Sequence, residues 1–216
     1  MTTRLDHLVI GATSLQQGVD YIRQHLGVDI PPGGEHPAMG THNHVMQLGH
    51  EVFLEVLAVN PTAPPPPRLR WYGLDDPFVA AQLARGPQLL TWVINVPDIA
   101  ACLAKATVDL GEAVPLSRGA LSWTFGLPED GRLLAGGAVP YVIQWHTADH
   151  PARGMAHRGC TLQGLEIAHP HPPWLEAVLT AMGAQGLVAV RPAAGRSTPQ
   201  LRAHLHTPNG HKILAS

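Results

Sequence analysis

Two side chains stand where apolar ones are expected. Val52-Phe-Leu-Glu-Val-Leu-Ala-Val59 is an apolar run holding one carboxylate, Glu55, and Leu5-Asp-His-Leu-Val-Ile10 is a second run broken by a polar residue, His7. An ionised side chain in a buried strand is costly unless it is paired or holds a metal. Strand alternation puts Phe53, Glu55 and Leu57 on one face and Leu54 and Val56 on the other, so Glu55 must be answered on its own face. Imidazole is the commonest metal ligand and a proton carrier near neutral pH, which makes His7 the expected answer and a small polar site on a sheet the expected result. An ion pair between Glu55 and an arginine competes with this reading, as does a core His7 bonded to a carbonyl.

The elements that must position these residues follow a repeated order. Strand Leu5 to Gly11 leads into a helix start at Ala12-Thr-Ser14, and Leu15, Val19, Ile22 and Leu26 recur at helical spacing until Gly27. A short strand around Val28 to Ile30 is expected next, then a break at Gly33-Gly34 and Pro37. His42 to Leu48 and a Gly49-His50 turn follow, and the chain returns as the Glu55 strand, giving β-α-β-β-β. The order recurs with a strand at Leu89 to Val96 and a helix started by Pro97-Asp98 that carries Ile99, Cys102, Leu103 and Ala106 to Gly111. Strands are then expected at Ala113 to Pro115, Leu121 to Leu127, Arg132 to Ala135 and Tyr141 to Trp145. A third, shortened unit has a strand at Leu162 to Ala168, a helix around Trp174 to Met182 and a hairpin from His204 to Leu214 turned at Thr-Pro-Asn-Gly. The organisation read from this is a first module over 1–60, a Pro-rich connector over 61–87, a second module over 88–148 and a third over 160–216.

Composition narrows the function classes. Of 216 residues 14% are charged and the formal net charge is -2, a weakly charged surface that argues against nucleic acid and anionic membrane as partners. No apolar stretch approaches a spanning length and no basic leader precedes the first strand, so the expectation is a soluble cytoplasmic protein. The two cysteines, Cys102 and Cys160, form no close pair and read as buried small hydrophobes. Histidine is abundant at 14 residues, most of them surface or loop residues, and no HExxH occurs. Nucleophile elbows, phosphate loops and dinucleotide fingerprints are missing too. His169-Pro-His171 reads as a helix entry ahead of a ligand pair.

In their order, the βαβββ modules, a histidine in the first strand, a glutamate in the fourth, and Gly40-Thr-His-Asn43 ahead of a Leu-Gly turn and Phe-Leu-Glu-Val resemble the vicinal-oxygen-chelate superfamily, in its glyoxalase-like domain branch. The resemblance covers roughly residues 4 to 146. It implies an α+β fold in which the modules form a curved, cup-like mixed sheet with helices outside. It also implies that the first and fourth strands supply ligands to a divalent metal, Zn, Fe, Mn, Ni or Mg, which chelates adjacent oxygens of a substrate. His7 and Glu55 match the two ligand positions of the first module. In the second, Thr91 falls where His7 stands and Gln144 where Glu55 stands, so water, substrate or another histidine would have to complete the set.

The resemblance implies a small-molecule enzyme of lyase, isomerase or dioxygenase type with Glu55 and His7 carrying the chemistry. The alternative is a metal-free binding or sequestration protein of the bleomycin-resistance type. Candidate substrate contacts are Asn43, His42, Trp71, Trp92 and Gln144, and a small molecule is the expected partner, with a homodimer as the expected assembly. Each contact has a structural competitor. Asn43 and His42 could satisfy backbone at a strand entry, Gln144 could bond inside the fold, and each tryptophan taken singly fits a core as well as a pocket wall.

Overall fold

The computed structural model describes residues 2–49 and 51–216. The expected Gly49-His50 turn therefore falls partly outside the described residues. Among the described residues twelve strands and four α-helices follow in the order β1 (Arg4–Gly11), α1 (Leu15–Leu26), β2 (Pro32–His36), β3 (Thr41–Gln47), β4 (Phe53–Val59), α2 (Pro77–Leu83), β5 (Gln88–Asn95), α3 (Ile99–Lys105), β6 (Glu112–Arg118), β7 (Leu121–Leu127), β8 (Tyr141–Trp145), β9 (Thr161–His169), α4 (Pro172–Ala181), β10 (Ala189–Pro192), β11 (Gln200–Thr207) and β12 (Gly210–Ala215).

Eight strands make one strongly curled mixed sheet in the order β2-β3-β4-β1-β5-β8-β7-β6. Each half runs first strand, fourth, third, second from the centre outward, and the two halves join where β1 pairs antiparallel with β5. The α+β modular architecture is thus present in the first two units. α1 packs on β3 and β4, and α3 on β6, β7 and β8. Ser14 starts α1 by accepting from the Gln17 N–H at 3.2 Å, and Val19, Ile22 and Leu26 are its buried stripe. The outer face of the sheet is thereby covered by α1 over β3 and β4, by α3 over β6 to β8 and by β11 and β12 over β5, leaving the concave face for the polar residues.

Several elements depart from the sequence expectation. No strand forms at Val28 to Ile30. The second strand is β2, and it contains the Gly33-Gly34 pair read as a break; Gly34 lies opposite Asn43 in the β2–β3 ladder. Arg132 to Ala135 is no strand either, because Leu134–Gly137 closes into a 3-10 turn with Ala135 at φ 44. The Pro-rich connector is not wholly extended. It carries a 3-10 turn at Trp71–Gly73 and then α2, started by Pro77 and by Asp76, whose carboxylate accepts from the Phe78 N–H at 2.8 Å. The third unit repeats the element order β-α-β-β-β, but its strands pair as β10-β9-β11-β12. It is a separate small sheet that touches β5 through β11 and β12, not another copy of the cup-forming module.

Candidate functional site

The junction of the two halves contains a β-bulge. Leu5 pairs with Ile94 and His7 with Val93, so Asp6 is an extra residue with no partner of its own. A bulge re-aims side chains, and here it brings Asp6 and His7 together, with Asp6 Oδ1 2.6 Å from His7 Nδ1. The other oxygen, Oδ2, accepts from the indole N–H of Trp145 at 2.9 Å and from Nε2 of His150 at 2.9 Å. Burial alone would raise the Asp6 carboxyl, but the hydrogen bonds and charge of His150 and His7 hold it down at about 2. Asp6 is therefore ionised, His7 donates through Nδ1, and His7 Nε2 is turned into the cup. The imidazole is held flat by stacking on Phe53, ring centres 4.4 Å apart.

Parallel pairing of β1 with β4 sets His7 opposite Phe53 and Val9 opposite Glu55. The acid and the imidazole share the concave face, with Glu55 Oε2 3.6 Å from His7 Nε2 and both side chains buried. Glu55 has no arginine within ion-pair distance among the described residues. Its Oε1 accepts from the side-chain amide of Asn43 at 2.6 Å.

Asn43 passes the network on to a cation. Its Oδ1 accepts from the Gly34 N–H at 2.8 Å and lies 3.4 Å from Arg118 Nη1. The same nitrogen of Arg118 is 3.1 Å from His36 Nε2. Burial first, then the Arg118 charge, lower the His36 imidazole to about 3. His36 is therefore neutral, accepting from Arg118 and donating through Nδ1 to Thr41 Oγ1 at 3.1 Å. The remaining walls are apolar, with Trp71, Tyr72, Trp123, Phe125 and Trp145 joined by aliphatic side chains such as Leu121 and Ile143 around the polar floor. Tyr72 adopts φ 60, a left-handed conformation that costs a bulky residue energy and recurs at ligand sites. The free volume of the cup is about 40 Å³, and a water needs about 10–15 Å³ of such space, so a group of a few heavy atoms fits.

His7, Glu55, Asn43 and Trp71 meet in this cup, whereas three sequence candidates do not reach it. His42 alternates with Asn43 along β3 and is on the outer face. Trp92 is fully buried, its indole donating to the Ala138 carbonyl at 3.1 Å, and belongs to the core. Gln144 accepts from the Ile99 N–H at 2.9 Å and so caps α3 from β8. Asp6, His36, Arg118 and His150 were missed. Asp6 adjoins His7 in an apolar strand, which was a usable signal; the other three come from distant loops and strand ends that no local pattern links to Glu55.

On the resemblance, His7 and Glu55 would hold a divalent ion. They present Nε2 and Oε2 toward each other, but nothing completes the set. Among the described residues no group of three or more His, Cys, Asp or Glu side chains is placed to hold a metal ion, and Asp6 is already engaged by three N–H donors. Thr91, the other second-half position, is a buried residue of β5 outside the cup. Catalytic zinc takes three protein ligands, and Arg118 already brings a positive charge to the same cup. The donors present do not fit a resident divalent ion.

A cup made of two mirrored βαβββ modules, with its polar residues at the first and fourth strands, defines the vicinal-oxygen-chelate class. A glyoxalase-like domain model matches residues 5–183, and the chain belongs to that family. A hypothetical protein from Staphylococcus aureus is similar over 100% of this chain and 85% of its own, at 13% identity and a TM-score of 0.63. A methylmalonyl-CoA epimerase from Mycobacterium tuberculosis aligns with 69% of this chain and 91% of its own, at 20% identity and a TM-score of 0.44. No curated protein matches the sequence.

Proposed function

We propose that this protein is a small-molecule enzyme that moves a proton at a carbon next to a carbonyl, without a resident metal. The observation that carries the reading is the facing of His7 Nε2 and Glu55 Oε2 at 3.6 Å, with His7 backed by an ionised Asp6. An atom placed between them can lie about 3 Å from both, the geometry an acid–base pair needs.

Glu55 Oε2 takes the proton from carbon. The C–H electrons become a C=C bond, the carbonyl electrons move to oxygen, and His7 Nε2 as imidazolium protonates that oxygen, giving an enediol or enol. Asp6 stabilises the imidazolium formed on recharging and keeps the ring oriented, the role a buried aspartate has beside a catalytic histidine. Return from Glu55 to the same carbon, after the acid has traded its proton with solvent, exchanges the hydrogen; return to the neighbouring carbon of an enediol, with His7 taking the proton of the hydroxyl that becomes the new carbonyl, isomerises. Asn43 holds Glu55 Oε1 so that only Oε2 faces the substrate, and the aromatic walls exclude water.

Incubation in D₂O with small carbonyl compounds, followed by proton NMR, tests this. Deuterium should enter at the carbon beside the carbonyl, unaffected by EDTA, and Glu55→Gln should abolish it while keeping the Asn43 contact. Absence of exchange across 2-oxo acids, 2-hydroxy aldehydes and 2-hydroxy ketones would overturn the reading. A second reading, sequestration of an aromatic compound, is favoured by the five aromatic walls, and that outcome would support it.

A further inference from the structure

Arg118 has no anion. Among the described residues it enters no ion pair, its Nη1 touching only the neutral His36 Nε2 and Asn43 Oδ1. A guanidinium is charged at every relevant pH and matches a carboxylate with parallel N–H bonds, so one left with neutral partners inside a cup lacks its natural complement. The placement is built. A Cβ on Gly34 would sit 3.2–3.3 Å from Nη1, Cδ and Cζ of Arg118, and one on Gly33 would sit 2.2 Å from Asn43 Oδ1. The glycine pair in β2 makes the flat surface over which both side chains lie.

We infer that the natural substrate is a small 2-oxo carboxylate, its carboxylate seated on Arg118 and its C3–H presented to Glu55. The Asn43 side chain sets the spacing. Its oxygen meets Arg118 and its nitrogen meets Glu55 Oε1 at 2.6 Å, so a ligand lying alongside that amide with one oxygen on Arg118 reaches Glu55 two or three bonds further on. In a 2-oxo acid C3 lies three bonds from a carboxylate oxygen, and its hydrogen, made acidic by the intervening carbonyl, points onward to Glu55. The free volume of the cup, about 40 Å³, suits a molecule of that size. This inference rests on the proton-transfer reading for the fate of the substrate, but its charge requirement stands separately.

Pyruvate and its neutral analogue methyl pyruvate are the probes, with binding followed by calorimetry and by quenching of the cup tryptophans. Wild type should bind methyl pyruvate at least about tenfold more weakly than pyruvate, and Arg118→Met should lose about ten- to a hundredfold for pyruvate, the range for a charge-assisted bond. Equal binding of acid and ester by wild type, which needs no variant, would overturn the inference, as would undiminished pyruvate binding in Arg118→Met or no pyruvate binding at all. Arg118-dependent binding without deuterium exchange would uphold the anion seat and sink the proton-transfer reading alone.

Discussion

Asp6 and His7 are neighbours in one strand, yet their side chains meet, with Oδ1 and Nδ1 2.6 Å apart. Regular alternation would send them to opposite faces. The bulge opposite β5 removes that conflict, and it also buries the carboxylate where Trp145 and His150 can donate to its second oxygen. The result is an orienting group for His7 that is tied at once to β8 and to the loop beyond it.

Asp6→Asn is expected to lower the exchange rate on the order of 10²- to 10⁴-fold, because an amide cannot accept from three N–H donors and the imidazole loses its fixed tautomer. Nitrogen NMR of labelled histidine is the readout a merely structural role would not move: the His7 proton should leave Nδ1 for Nε2. An unchanged tautomer with an unchanged rate would show that Asp6 does not position His7.

His36 should set the acid sensitivity of the fold. Its folded value of about 3 lies below the ordinary 6.5 through burial and the nearby Arg118, so the unfolded chain takes a proton that the folded chain refuses. Stability from this group is full above pH 6.5 and is lost as pH falls toward 3, at about 1.4 kcal/mol per pH unit. Asp6, lowered to about 2, adds its own loss only below about pH 4. Urea midpoints measured from pH 7.5 to 4.5 should decline in wild type and flatten in His36→Gln; parallel curves would refute the assignment.

Trp92 and Gln144 should matter for stability alone. Trp92→Phe removes the bond to Ala138 and leaves unfilled space, costing about 1–3 kcal/mol. Gln144→Leu removes the bond to the first turn of α3, costing about 1 kcal/mol, or about 2–4 °C in Tm for a chain of this size. Pyruvate affinity and exchange should stay within twofold of wild type in both. A larger change in either would return that residue to the cup.

The core pattern was local and therefore readable. Apolar alternation in β1 and β4, the helical stripe of α1 and the cap at Asp98 each depend on residues within a turn or two of one another, and they give the modules their order. The short-range errors share a cause: Gly33-Gly34 lies in a strand because its missing side chains make room for Asn43 and Arg118, partners far away in sequence, and α2 hides behind a proline run despite its Asp76-Pro77 start.

The sequence by itself determined that a lone acid on one apolar strand needed an answer from its own face, since burying a charge is costly and strand alternation is strict. Only the tertiary structure decided what gives that answer and what surrounds it. A one-residue bulge turned Asp6 onto His7, and the closure of two half-sheets brought Arg118 from the outermost strand to within one amide of Glu55. Those contacts depend on register and curvature, which arise from the packing of the whole sheet and leave no spacing in the chain to read.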